Sequence, residues 1–335
     1  MEMILPYVTH YKNKKENHMS YNVAIIGASS VVGHEILNIL AETEFPIKTL
    51  SPLTSAKMAG REMSFGDKDI KTQSMDMFDY AGTDILFVTG VLKDAKEVIA
   101  KALKTGAKVI DCTGATSLDD PRDNLISMPS AISAQIITAL KPLQSHAKIK
   151  RVVVSTYQAV SVEGKDGMDE LFNQSRKFFV TDGLESDVFS KQISFNAIPQ
   201  VDQFMDDGQT QAEWALSAEI KRHLDKNIKT SATCVVIPTF IGHGASVNVE
   251  FENDMDAKTA KSLWRDQDDI IVIDEASEME FVTPADTAGE DSTFISRLRN
   301  DSTLDNGISF WCVADNIRAS VALRAVNIAR DIVAS

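Results

Sequence analysis

Gly27 and Gly33 bracket a seven-residue turn, GASSVVG, between an apolar strand-like run (21–26) and a segment that puts Val32, Ile36, Leu37 and Leu40 on one helical face. At such a strand-to-helix turn, backbone N–H groups and the positive helix end can hold a pyrophosphate, provided that small residues let it approach. The spacing fits. Ser30, however, occupies the middle position where a glycine would leave room, and a tight turn without a ligand is the competing reading. The second strand-like run ends in TLSPLTSAKMAGR, which offers no Asp or Glu for a ribose 2′-hydroxyl. Ser51, Thr54, Lys57 and Arg61 suit a 2′-phosphate instead, so NADP is preferred over NAD, unless the four are solvated loop residues.

Two further polar side chains sit where chemistry is conceivable. His243 follows Gly242 at a strand end, where an imidazole serves either as an acid/base or as a turn residue. Gln158, in STYQAVS, either orients a ligand or satisfies buried backbone groups. The chain has three cysteines, Cys112, Cys234 and Cys312, with no CxxC spacing, so neither a zinc site nor disulfides are expected, and no metal. Cys234 and Cys312 fall in the apolar runs CVVIPTF and ISFWCVAD and read as buried thiols. Cys112 ends a strand-like run, at the edge where open α/β sheets bind ligands.

The elements that must position these groups divide at about residue 128. The first part alternates strand-like runs (21–26, 46–50, 84–89, 107–111) with helical stretches, the pattern of a Rossmann-type, doubly wound parallel sheet. From residue 150 the pattern changes to long alternating strands such as KRVVVSTYQ, KTSATCVVIPTF and ASVNVEFE, with helices near 165–179 and 210–224. That predicts an α+β domain with a mixed, mostly antiparallel sheet, helices on one face and a dimerisation surface. The expected organisation is a 1–19 disordered extension ending at Met19, an alternative start to Met1. An NADP-binding domain over 20–128, with the C-terminal helix 317–335 packed back on it, precedes a catalytic and dimerisation domain over 129–316. The composition is 44% hydrophobic and 24% charged, as in a soluble globular protein, and the net charge of −14 argues against nucleic acid and anionic membranes as partners. With no run of 18 apolar residues and no signal-peptide core, a cytoplasmic location is expected.

The turn GASSVVG, together with LKPLQSHAKIKRVVVSTYQAVS (140–161), GKDGMDEL (164–171), QISFNAIPQVDQF (192–204), IPTFIGH (237–243), SRLRND (296–301) and ADNIR (314–318), resembles the aspartate-semialdehyde dehydrogenase family from about residue 21 to the C-terminus. The resemblance implies NADPH-dependent reduction of an aspartyl phosphate through a cysteine at a helix N-terminus, whose thiolate the helix dipole stabilises. It assigns Gly27, Ser29, Ser30, Val31, Val32 and Gly33 to the dinucleotide turn, Ser161 and Asn316 also to the cofactor, Gln158 to orienting the substrate or thioester, and His243 to acid/base work.

The same resemblance exposes departures. The family's Asn-Pro-Asn-Cys reads Met128-Pro129-Ser130-Ala131, so Ala131 stands at the nucleophile's place, with Ser130 expected as helix N-cap and Ser133 on the helix surface. Val236 and Ser117 stand where the family has arginines, Ala212 and Ala215 where it has a glutamate and a lysine. The family's Ser-Gly-Ala-Gly turn beside the nicotinamide reads Ser161-Val162-Glu163-Gly164, with a branched side chain and a carboxylate expected to crowd and repel the cofactor. The favoured expectation is a noncatalytic homologue, binding NADP weakly or not at all. It acts as a homodimer or as a heterodimer with an active paralogue, with or without a small-molecule ligand. Two alternatives stand beside it: a dehydrogenase of altered chemistry using Cys112, and the ordinary family enzyme with a rearranged site.

Overall fold

The computed structural model describes residues 19–90, 92, 94–116, 122–180, 184–275 and 280–334. Chain order begins with β1 (Tyr21–Ile26), α1 (Val31–Glu42), β2 (Ile47–Thr54), the short hairpin β3 (Glu62–Phe65) and β4 (Lys68–Lys71), and β5 (Gln73–Ser74). It continues through β6 (Ile85–Val88), α2 (Ala95–Lys104), β7 (Lys108–Asp111) and β8 (Leu125–Ser127). β1, β2, β5, β6, β7 and β8 form one six-stranded sheet in the order β5-β2-β1-β6-β7-β8, every pair parallel. Both faces are buried, which is why β1 and β6 read as unbroken apolar runs: Val23 and Ile25 pack with α1, whereas Ala24 and Ile26 pack with Ile99 and Ala102 of α2.

The second half contains α3 (Ala131–His146), β9 (Ile149–Ala159), α4 (Gly164–Lys177), α5 (Gln211–His223), β10 (Lys229–Ile237) and β11 (His243–Phe251). α6 (Ala257–Arg265), β12 (Ile270–Val272), β13 (Thr293–Asn300), β14 (Gly307–Ala314) and α7 (Leu323–Ala334) complete it. The second sheet has the order β10-β9-β11-β14-β13-β12, antiparallel in its three central pairs and parallel at both edges. One face, with Val152, Val154, Cys234, Val247 and Phe310, is buried with α3, α5 and α6, and Trp264 Nε1 donates to Ala139 O at 2.7 Å. The opposite face, with Val153, Tyr157, Val235 and Trp311, is only half-buried. Period-two alternation along β9 is the direct trace of that asymmetry.

α7 returns to the first domain, where Val326 and Ala329 join the core with Ile36 and Leu40. A π-turn over Arg318–Ala322 leads into it. There Arg318 reaches Glu35 (2.6 Å) and Glu42 (2.8 Å) on α1 and Asp291 (2.6 Å) in the second domain. Residues 1–18 lie outside the described residues, and with them almost all of the expected 1–19 extension. Among the described residues no helix is long and apolar enough to cross a membrane.

Candidate functional site

The dinucleotide turn is built around two glycines that cannot be replaced. Gly27 has φ +71° and a Cβ there would stand 2.2 Å from Thr89 O, while a Cβ on Gly33 would stand 2.2 Å from Gly27 O. These contacts are with backbone, so the strand-to-helix turn closes only with hydrogen at both positions. Ser30 is an ordinary residue here. Its φ of −73° needs no glycine, and its hydroxyl turns inward to cap α1, accepting from Gly33 N at 3.0 Å and lying 3.1 Å from Thr89 Oγ1. The Ser30 hydroxyl is thus engaged within the turn, while the residue itself still lines the cleft described next.

Ser29, Ser30 and Val31 line a cleft of about 830 Å³ between the domains, whose other walls include Arg61, Lys165, Phe172 and Ile317. The size suits a cofactor, and the start of α1 lines it. Val32 packs instead into the first-domain core. Of the four residues expected for a 2′-phosphate, Arg61 alone lines this cleft. Thr54 is buried with Oγ1 3.0 Å from Ser29 Oγ, and Ser51 pairs with Ala24 inside the sheet. Val162 and Glu163 are not among the residues lining this cleft, and Val162 packs against the second-domain core.

Ala131 is the first residue of α3. Ser130 takes the N-cap position, yet its side chain makes no capping bond. Its N–H (3.2 Å) and hydroxyl (2.8 Å) both donate to Glu219 of α5, and Ser133 Oγ lies 2.9 Å from Ser130 Oγ. Ser133 is fully buried, not a surface residue. Burial raises the Glu219 carboxyl pKa, and the Ser133 and Ser130 hydrogen bonds pull it back. A carboxylate occupied in this way holds the helix tip in place, and the Ala131 methyl group beside it packs against the first-domain core.

His243 and Gln158 are brought to the same end of the second sheet. His243 is 1% exposed, and its Nδ1 accepts from Ala159 N at 3.1 Å, which leaves the neutral ring's proton on Nε2. Burial pushes its pKa down to about 3, against a smaller opposing effect of the Gly242 backbone. Gln135, one turn into α3, donates to His243 O (3.1 Å) and Cys312 O (3.0 Å). Gln158 is also buried and donates to Thr156 Oγ1 at 3.2 Å; Val236 stands opposite it on β10. Ser161 and Asn316 hold each other, Asn316 Nδ2 donating to Ser161 Oγ at 3.0 Å, and Asn316 Oδ1 accepts from Gly242 N at 2.9 Å.

Cys234 and Cys312 lie in the second-domain core, whereas Cys112 packs with Met128 and Ala131 in the first-domain cluster. Cys112 is half-buried with Sγ 3.5 Å from Met128 Sδ, lines neither domain cleft, and has its pKa raised by burial and by Asp111. Burial likewise raises Cys234 to about 11 and Cys312 to about 12. Among the described residues no cluster of His, Cys, Asp or Glu is placed to hold a metal ion. Ser117 lies outside the described residues. Ala212 packs against the second-domain core. Its neighbour Glu213, which residue types alone did not single out, caps α5 through Thr210 N (2.8 Å) and accepts from Cys234 N (3.0 Å). The sequence signal for it is the capping box TQAE at 210–213.

Two sequence models match the chain: the semialdehyde dehydrogenase NAD binding domain over residues 22–165 and the semialdehyde dehydrogenase dimerisation domain over 140–319. Among curated relatives, aspartate-semialdehyde dehydrogenase of Rickettsia conorii is 37% identical over 330 residues, 93% of this chain and 98% of its own length. The Aquifex aeolicus enzyme of the same name is 36% identical over 333 residues, 93% of this chain and 97% of its own. Among solved structures, aspartate semialdehyde dehydrogenase II from Vibrio cholerae superimposes with a TM-score of 0.90 at 33% identity, covering 95% of this chain and 99% of its own. On these matches the chain belongs to the aspartate-semialdehyde dehydrogenase family.

Proposed function

We propose that this protein is a family member that keeps the dinucleotide-binding domain and the dimer surface but not the thiol-dependent reaction, and that it works as a binding or regulatory partner. The observation that carries the reading is the methyl group of Ala131 at the tip of α3. Reduction of an acyl phosphate by this family's route needs a thiolate there, and none of the chain's three thiols stands on that helix: Cys112, packed near its start, and the buried Cys234 and Cys312 all have raised pKa values. Val236 at the expected arginine position leaves a carboxylate-bearing substrate without a bidentate partner on β10.

A nicotinamide dinucleotide fits the cleft at the start of α1. The turn is closed by Gly27 and Gly33, the Ser30 hydroxyl is engaged within it, and Arg61 is available for a 2′-phosphate. When bound, the cofactor carries a transferable hydride. Ser29 and Val31 would hold its phosphates by backbone N–H groups and the helix end, the Ser30 N–H being donated to Gly27 O at 2.8 Å. The half-buried open face of the second sheet, where the Tyr157 and Trp311 rings lie 5.4 Å apart, is the surface through which the dimer forms. A homodimer and a heterodimer with an active paralogue use the same face. A cytoplasmic location accords with three unpaired thiols.

A second reading, an active NADP-dependent aspartate-semialdehyde dehydrogenase, draws on the near full-length match to relatives of that name. One experiment separates them: purified protein is titrated with NADPH by fluorescence, then assayed for phosphate-dependent reduction of NADP by aspartate semialdehyde. Saturable NADPH binding without turnover is expected. Turnover at an ordinary enzyme rate would overturn the proposal.

A further inference from the structure

A second cleft, of about 880 Å³, lies on the other side of α3 and shares no lining residue with the one at α1. Its walls are the Thr138, Lys141 and Ser145 face of α3, Leu263 and Gln267 at the end of α6, and Leu323, Arg324 and Ile328 of α7. The second domain therefore supplies one side and the helix that packs on the first domain supplies the other.

Three features of this cleft ask for a ligand. Arg324 is held by one guanidinium nitrogen to Thr138 Oγ1, its nearest carboxylate oxygen is Asp269 Oδ2 at 4.0 Å, and its Nε is buried with no hydrogen-bond partner. Burial works against its charge, with only Asp269 opposing. A buried guanidinium donor left unpaired is costly, and the part of the Arg324 side chain that remains exposed, 32%, suits a ligand carboxylate that would complete its charge pairing. Lys141, one turn beyond Thr138 on the same helix face, adds a second cation, and with Arg222 it depresses the His223 pKa after the larger effect of burial. The cleft also offers acceptors. Asp269 and Asp331 line it, and Pro142 has no N–H, so the Thr138 carbonyl loses its normal helical donor on this face. Between the two charge types the floor is apolar, with Ile137, Leu263, Leu323 and Ile328.

We propose that this interdomain cleft binds a free amino acid with an apolar side chain, its carboxylate on Arg324 and Lys141 and its ammonium toward Asp269, Asp331 and the Thr138 carbonyl. Both charges are needed because the cleft carries both, and an aliphatic side chain completes the contact with its floor. Ligand at this place touches α3, α6 and α7 together and so ties the two domains.

The test is isothermal calorimetry of the full-length protein with L-leucine, with 4-methylpentanoate, which lacks the amine, and with isoamylamine, which lacks the carboxylate. Arg324→Met, Arg324→Lys and the exposed Lys141→Met follow, each checked for fold by circular dichroism. Saturable L-leucine binding, weakened at least about tenfold in Arg324→Met and Lys141→Met and about tenfold or more for both truncated ligands, is the expected result. Absence of L-leucine binding, binding untouched by both methionine variants, or equal binding of 4-methylpentanoate would each overturn the proposal. NADPH titration of the same variants reads the other cleft, so failure here is separable from failure of the proposed function.

Discussion

His243 is a neutral, structural histidine in this fold, and replacing it by asparagine tests that directly. Its Nδ1 is an acceptor for Ala159 N, a bond that an asparagine Oδ1 can make in turn. The folded-state pKa is about 3, whereas the unfolded chain returns the ring to about 6.5. The folded value is the lower one, so above pH 6.5 neither state is protonated and His243 costs nothing. As pH falls toward 3 the unfolded chain takes up a proton that the folded chain refuses, and stability declines by about 1.4 kcal/mol per pH unit. Between pH 7.5 and 4.5 the loss from this residue is about 3 kcal/mol, counted over the two units below 6.5. Urea unfolding of the parent protein and of His243→Asn across that range should show the gap between them changing by this amount, with the variant gaining relative to the parent at low pH. Imidazole resonances in the NMR spectrum, assigned by the one that disappears in His243→Asn, should show a ring that stays neutral down to pH 4.5. A ring titrating within one unit of 6.5, or a stability gap independent of pH, would refute the structural reading and return His243 to the list of acid/base groups at neutral pH.

Ala131→Cys should create a thiol that iodoacetamide alkylates, yet leave phosphate-dependent NADP reduction undetectable. Each missing charged substrate contact costs about 2–5 kcal/mol, or roughly 30- to 4000-fold in rate, and measurable turnover from this change alone would contradict the account. Gly33→Ala drives a Cβ to 2.2 Å from Gly27 O, so a loss of about 1–3 kcal/mol in thermal or urea unfolding and loss of NADPH binding are expected. Arg318→Met releases Glu35, Glu42 and Asp291 from a side chain that is only 16% exposed. It should lower stability by about 1–3 kcal/mol at low salt and by less at high salt, read from melting curves at both.

Much of the architecture was legible because it is written in periodicity. Unbroken apolar runs at β1 and β6 announce strands covered on both faces, and the alternation along β9 announces one covered on a single face. The β3–β4 hairpin was not legible: its sequence is mostly polar and exposed, with Met63, Phe65 and Ile70 alone touching the core. Ser133 and Gln135 were misread or missed for a different reason. α3 is apolar on nearly every side, so its polar residues mark no solvent face, and their partners come from 312, 243 and the α5 helix, distances in sequence that local pattern cannot bridge. Arg61 and Thr54 belong to one polar stretch, but only the three-dimensional path of β2 decides that Thr54 turns into the sheet and Arg61 toward the cleft.

The polar residues retained from the family pattern share one property that bears on function. Gln158 is satisfied by Thr156, His243 by Ala159, and Asn316 by Ser161 and Gly242, all within buried structure. Each would be costly to remove even if no reaction were ever catalysed, because an unpaired partner would be left in a dry interior. The positions that differ, Ala131 and Val236, are ones where an apolar side chain sits at no such cost: the first is a half-buried helix start and the second joins the second-domain core. Packing alone thus accounts for Gln158 and His243 at these positions, whether or not a reaction is catalysed. The weight falls on whether a nucleophile stands at the start of α3, and there the chain carries the methyl group of Ala131, packed against the first-domain core beside a Ser130 held by Glu219.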